Sequence, residues 1–202
     1  MTVQEALTLK LTDYVTSDIQ LFDEGLVKWR WATSLEHLHA RTADDWDATV
    51  PDDATVLVVG DCMVGHSEEG LEWFSQRPGK KILITGNWDA VDPVWNSNPL
   101  VEVESWLEVF DQIMHRASVR VEDHLFLASH YTYGNVAKNP RLKELKAGFS
   151  DSGIPLMHGH THSRKRVTRS EAGTLQMHVG WDAWKKPVSV QALIDRASTE
   201  GW

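Results

Sequence analysis

The sequence predicts an α/β protein, one domain built on two sheets, and three observations carry the prediction. The first half alternates buried-strand runs with helical patterns in the order β-α-β-α-β, which favours a parallel sheet with right-handed crossovers. The second half reads instead as short strands and hairpins. No repeat, low-complexity tract or Pro/Gly linker divides the 202 residues, so 1–202 is expected to be a single domain.

Each element has its own signal. Val15-Thr16-Ser17 ends a first strand, with Asp18 at its carboxyl end. "GLVKWRWATSLEHLHA" (25–40) puts Val27, Trp31, Leu35 and Leu38 on one helical face, leaving Lys28, Arg30, His37 and His39 as amphipathic surface. "RTADDWDATVPDDA" (41–54) is acidic and turn-rich and reads as loop. "TVLVVG" (55–60) and "KKILIT" (80–85) are apolar runs of the kind buried on both faces. Between them Ser67 reads as the N-cap of a helix closed by Pro78-Gly79. "VFDQIMHRASVRV" (109–121) and "HLFLASH" (124–130) read as a hairpin. Short strands follow at 154–160, 164–170 and 174–180, the last two joined at Glu171-Ala172-Gly173, and Ser189 caps a final helix.

Composition excludes several classes. A net charge of −9 argues against a long duplex footprint, which needs many neutralised phosphates, although some carboxylates of that excess would be cancelled by bound divalent cations. Cys62 is the only cysteine, so no internal disulfide is possible. The first residues lack a basic and then apolar leader, and no run approaches the roughly 20 apolar residues of a membrane span. A cytoplasmic protein is expected. Ten tryptophans point to a stiff core or a pocket wall.

Polar residues gather at the predicted carboxyl ends of strands, where open α/β sheets place ligands. They are Asp18, Asp61, Asn87, His130, His160 and His162. Singly, each has a plain reading as a turn, cap or semi-buried residue. Together, two carboxylates, an amide oxygen and three imidazoles suit a pair of borderline cations such as Mn²⁺, Fe or Zn²⁺.

"SDIQ" (17–20), "GDCM" (60–63), "GNWD" (86–89), "SHY" (129–131) and "HGHTH" (158–162) fall in a familiar order. It resembles that of the calcineurin-like metallophosphoesterases, whose motifs read D-x-H, G-D, G-N-H-D/E, a single His and G-H-x-H. "HVGWDAWKKPVSVQAL" (178–193) also resembles the closing segment of small, often bacteriophage-type members. The resemblance implies a four-layer α/β/β/α sandwich of two mixed sheets flanked by helices, with two metals between loops at one end. By position, Asp61 would bridge the metals. One would also take Asp18, His162 and the Gln20 position; the other Asn87, His130 and His160. Mn²⁺ is the first expectation, and a hydroxide held between the metals would attack phosphorus in line with the leaving oxygen.

Two departures limit the carry-over. Gln20 stands where the family has His, so an amide either ligates or holds a metal-bound water, or the site is short of one ligand. Asp23 is a conceivable substitute but reads as a helix-start residue. Trp88 stands where the family has an acid His, and an indole cannot serve as a general acid. His66 is the candidate replacement; His158 and His178 read as support or core. Trp88 either stacks against a base or packs under its loop. Arg164, Lys165, Arg166 and Arg169 either steer a phosphorylated substrate or guard a solvated edge strand.

The expectation is a metallophosphodiesterase for small phosphodiesters, 2′,3′-cyclic nucleotides ahead of 3′,5′-cyclic ones, with Asp61 and Asn87 as catalytic residues. The alternatives are a phosphomonoesterase or nuclease using the same centre, and a catalytically dead scaffold.

Overall fold

A computed structural model describes residues 6–140, 144 and 148–201. The start of the stretch read as lacking a leader lies outside the described residues. Strands β1 (Leu7–Thr8), β6 (Arg116–Val121), β7 (His124–Ser129), β8 (Leu156–His158), β10 (Leu175–His178) and β9 (Val167–Arg169) form a mixed six-stranded sheet in that spatial order. The second sheet has five strands, β11 (Val188–Ser189), β2 (Tyr14–Thr16), β3 (Thr55–Val58), β4 (Lys80–Ile84) and β5 (Gln112–Met114), again in spatial order. Strands β2 to β5 run parallel, and β11 pairs antiparallel to β2.

The apolar runs at β3 and β4 are continuous because each face has its own core. Leu57, Val59, Ile82 and Ile84 point between the sheets and meet Val119, Phe126, Met157 and Met177. Val56, Val58 and Leu83 point the other way, onto Trp46, Phe74 and Trp106 of the covering helices and Phe110 just beyond them. Those helices are α2 (Leu35–Asp47), α3 (Ser67–Ser75) and α4 (Val103–Leu107). On the outer face of the six-stranded sheet Leu127 and Leu156 pack under Tyr133 of α5 (Tyr133–Lys138). The α/β/β/α layering follows.

Several local expectations need correcting. The helix read over 25–40 is two helices, α1 (Glu24–Trp29) and α2, broken at Trp31, whose φ is 53°. Ser34 caps α2 by accepting from the His37 N–H. Residues 41–47, read as loop, continue α2, because Leu38, Thr42 and Trp46 recur every fourth residue on a buried stripe. The acidic residues are simply its wet face. Ser67 opens α3 as its first residue, while His66 occupies the cap position without a side-chain cap bond. The 109–130 hairpin is real only for β6 and β7; β5 leaves it to pair with β4 in the other sheet. The β9–β10 hairpin and the Ser189 cap of the C-terminal helix (Val190–Thr199) are as expected.

Candidate metal centre

The parallel strands β2, β3 and β4 deliver Asp18, Asp61 and Asn87 to one edge, and β7 and β8 deliver His130 and His160 to the same edge. The two sheets are tied there directly. His130 Nδ1 lies 2.8 Å from the Val59 carbonyl, and the His160 N–H donates to Asp18 Oδ1 at 2.9 Å. The Asp18 N–H donates to Gly60 O, and the Gln20 N–H to Asp61 O, both at 3.0 Å.

Asp61, His130 and His160 form the tightest cluster, with one ligand atom from each lying within 4.8 Å of the others. A carbonyl only accepts, so the bond to Val59 requires the proton on His130 Nδ1 and turns Nε2 toward Asp61. Nε2 stands 3.2 Å from Asp61 Oδ2. Burial pulls this imidazole down, but the Asp61 carboxylate outweighs it and lifts the group to about 10. Asn87 Oδ1 and His130 Nε2 are among the described buried side-chain atoms that have no hydrogen-bond partner, and these two lie at this edge. Buried polar atoms are rarely left so, and a divalent cation accepting both would supply the missing partner. The donor set fits a metal.

Asp18, Gln20 and His162 make the adjoining half. His162 Nε2 is 3.9 Å from Asp18 Oδ1, and both atoms are of the kind that would hold a divalent cation. Its Nδ1 lies 2.8 Å from Asp182 Oδ2, a bond that raises the imidazole above its usual range and fixes which nitrogen faces Asp18. Gln20 is buried and its amide nitrogen donates to Asp61 Oδ2 at 3.2 Å. The amide therefore reaches the Asp61 carboxylate, and rotating it would present its oxygen instead. Gln20→His is expected to tighten metal binding on this side, read by calorimetric titration with Mn²⁺; an unchanged affinity would remove position 20 from the ligand set.

The backbone at this edge is held in an uncommon conformation. Asp18, Gln20, Asp61, His160 and His162 all have φ between 46° and 67°, in the left-handed region that non-glycine residues avoid. Such conformations persist where surrounding bonds over-determine them, and they cluster at functional sites. Gly60 has no choice: at φ 84° a Cβ there would meet Gly86 and His130 Nδ1 at 2.7 Å.

The remaining residues sort clearly. Trp88 is not packed under its loop: it is 51% exposed and lines a cleft of about 300 Å³ with Asn87, Trp95, Tyr131, Asn139 and His160. Its backbone N–H donates to Asp61 Oδ1 at 3.0 Å. His66 sits on the surface, its ring tilted against Phe22 and its Nδ1 3.7 Å from Glu69. His158 and His178 are buried behind Asp18 with ring centroids 5.3 Å apart. Burial, with His178 beside it, pushes His158 down to about 3 and keeps it neutral. Asp23 caps α1 by accepting from the Gly25 N–H. Cys62 is buried in the helix-side core, and burial pushes its thiol well up.

Three residues outside the expected ligand set support the site. Asp89 is buried and accepts from the N–H groups of Gly86, Asp61 and Cys62, locking the two central loops together. Burial first, and the Asp61 charge second, raise its carboxyl to about 7. Asp182 orients His162, and Arg30 holds Asp182 at 3.0 Å while donating to the Asp18 and Ile19 carbonyls. Arg30 is thus buried structure, not helix surface, and His39 is likewise engaged, accepting from the Phe22 N–H. The "GNWD" and "GWDAW" segments carried Asp89 and Asp182 in plain view; Arg30 had no signal.

Two mixed sheets with this residue order at one edge define the calcineurin-like metallophosphoesterase fold. The chain belongs to the family of the Gene 66 protein of Mycobacterium phage L5, to which it is 34% identical over 194 residues, 90% of this chain and 92% of the phage protein. The Gene 66 protein of Mycobacterium phage D29 is 34% identical over 182 residues, covering 85% and 88% of the two chains. Among solved structures, the protein of unknown function AQ665 from Aquifex aeolicus shares the fold, with a TM-score of 0.62 at 20% identity over 94% of this chain and 99% of that one. No family model matches the chain. No helix among the described residues is long and apolar enough to cross a membrane.

Proposed function

We propose that the protein is a metal-dependent phosphodiesterase for small phosphodiesters, with 2′,3′-cyclic nucleotides ahead of 3′,5′-cyclic ones. The carrying observation is the Asp61–His130–His160 cluster beside the unpartnered Asn87 oxygen. Two divalent cations, Mn²⁺ first and Fe or Zn²⁺ next, would acidify water and neutralise charge on the phosphoryl oxygens. Asp61, Asn87, His130 and His160 would hold one, and Asp18, Gln20 and His162 with Asp61 the other.

Diesters are favoured by what stands beside the cluster. Trp88 offers no acid to a poor leaving group, so a strained cyclic diester is the easier substrate. Its exposed indole and Trp95 form aromatic walls beside His160, suited to stack a base. Asp92 accepts from the Val94 and Trp95 N–H groups and so fixes the second wall. The surface position of His66 argues for no replacement acid there.

Hydrolysis of bis-p-nitrophenyl phosphate with added Mn²⁺ tests the reading, with His130→Ala and Asn87→Ala expected to lose it. Absence of metal-dependent turnover in the natural protein would leave a scaffold instead. Trp88→Ala is expected to raise KM for 2′,3′-cyclic nucleotides about tenfold, the worth of one stacked base. An unchanged KM would remove the indole from the substrate site.

A further inference from the structure

A second cleft, of about 230 Å³, lies on the other side of Asp182. Trp29, Trp31, Arg41, Arg164 and Lys185 line it, with Arg30 and Asp182 at its wall. We infer that it binds a nucleoside phosphate, free or as one unit of a single-stranded nucleic acid.

The aromatic half comes from the break between α1 and α2. A chain that buries Trp46 and Trp106 completely leaves Trp29 47% and Trp31 65% exposed. Trp31 has a left-handed backbone, an uncommon conformation for a bulky residue, and its ring stays largely in solvent. Flat indoles in water are stacking surfaces for bases.

The cationic half is equally specific. The Arg164 guanidinium lies 4.8 Å from the Trp29 ring and 4.9 Å from the Trp31 ring, and Lys185 Nζ lies 5.4 Å from Trp31. Arg41 donates to the carbonyls of Arg30 and Trp31. Four cations line the cleft against the carboxylates Asp45 and Asp182, and Asp182 already pairs with Arg30. Among the described residues no ion pair holds Arg41, Arg164 or Lys185. On a chain of net charge −9 this is a local reversal of sign. It continues past Arg164 into a cleft lined by Lys165, Arg166 and Arg196, where the phosphate of a neighbouring nucleotide would sit. A duplex hides its base faces, so the indoles select a single strand.

The inference concerns binding and does not depend on hydrolysis, so the full chain is tested in EDTA. Labelled oligothymidylate and oligouridylate are titrated by fluorescence anisotropy, with a duplex of equal length beside them and unlabelled UMP as competitor. The strands are expected to bind. Trp31→Gly, which suits the positive φ, and Arg164→Glu are each expected to raise Kd about tenfold. Removing Arg164 should also flatten the log–log salt dependence by about 0.7 for each phosphate that its guanidinium neutralises. Displacement by UMP identifies the free nucleotide as sufficient ligand; its failure identifies the strand. Duplex binding as tight as the strand, no binding of strand or UMP, or natural affinity in both variants with unchanged circular dichroism would overturn the inference. Binding without turnover would strike the phosphodiesterase reading alone.

Discussion

Asp61→Asn is expected to lower phosphodiester hydrolysis by about a thousandfold or more, the largest effect at this site. The side chain is 1% exposed and is reached by His130, Gln20 and the Trp88 N–H at 3.2, 3.2 and 3.0 Å. An amide nearly matches it in shape but offers one oxygen and no charge, so it cannot serve two cations. A separate readout does not involve turnover. A ligand at one hundred times its Kd stabilises the folded state by about 2.7 kcal/mol. For a domain of this size that corresponds to a Tm rise of about 5–10 °C. The natural protein should show that rise with Mn²⁺ in thermal denaturation, and the Asn variant should show little of it. Activity within tenfold of the natural protein would mean that Asp61 does not bridge metals.

What was legible in the chain was whatever is encoded locally. Strands β3 and β4 sit in the middle of a sheet with a core on each face, so Val56–Val58 and Ile82–Ile84 form unbroken apolar runs. The ligands were legible because each immediately follows such a run. Helix α2 was misread because Asp44, Asp45 and Asp47 mask its buried stripe, and only the spacing of Leu38, Thr42 and Trp46 betrays it. The left-handed backbone of Asp18, Gln20, Asp61, His160 and His162 has no sequence mark at all, since glycine would have been the natural choice. Nor does the exposure of Trp88 and Trp31. Both depend on how loops from distant segments meet.

Arg30 is the strongest case of that distance, since its partner Asp182 lies 152 residues away. The guanidinium forks onto both Asp182 oxygens, at 3.0 and 3.1 Å, and caps the carbonyls of Asp18 and Ile19 at 2.6 and 2.8 Å. Both side chains are about 95% buried. Removing one partner of such a pair strands the other charge, at a cost of about 3–5 kcal/mol. Arg30→Ala is therefore expected to lower Tm by about 6–20 °C. It should also weaken metal binding at the Asp18–His162 side by about 10–100-fold, because Asp182 then holds His162 less firmly. Arg30→Lys should recover little, since an ammonium cannot reproduce the planar fork. The two consequences are separable. Replacing the pair with apolar residues, Arg30→Met with Asp182→Leu, removes both buried charges and is expected to restore most of the stability. It leaves His162 without its acceptor, so the weakened metal affinity should persist in the restored protein. If calorimetry instead finds metal binding returning along with Tm, the pair acts only as a structural tie and the orientation of His162 is set elsewhere.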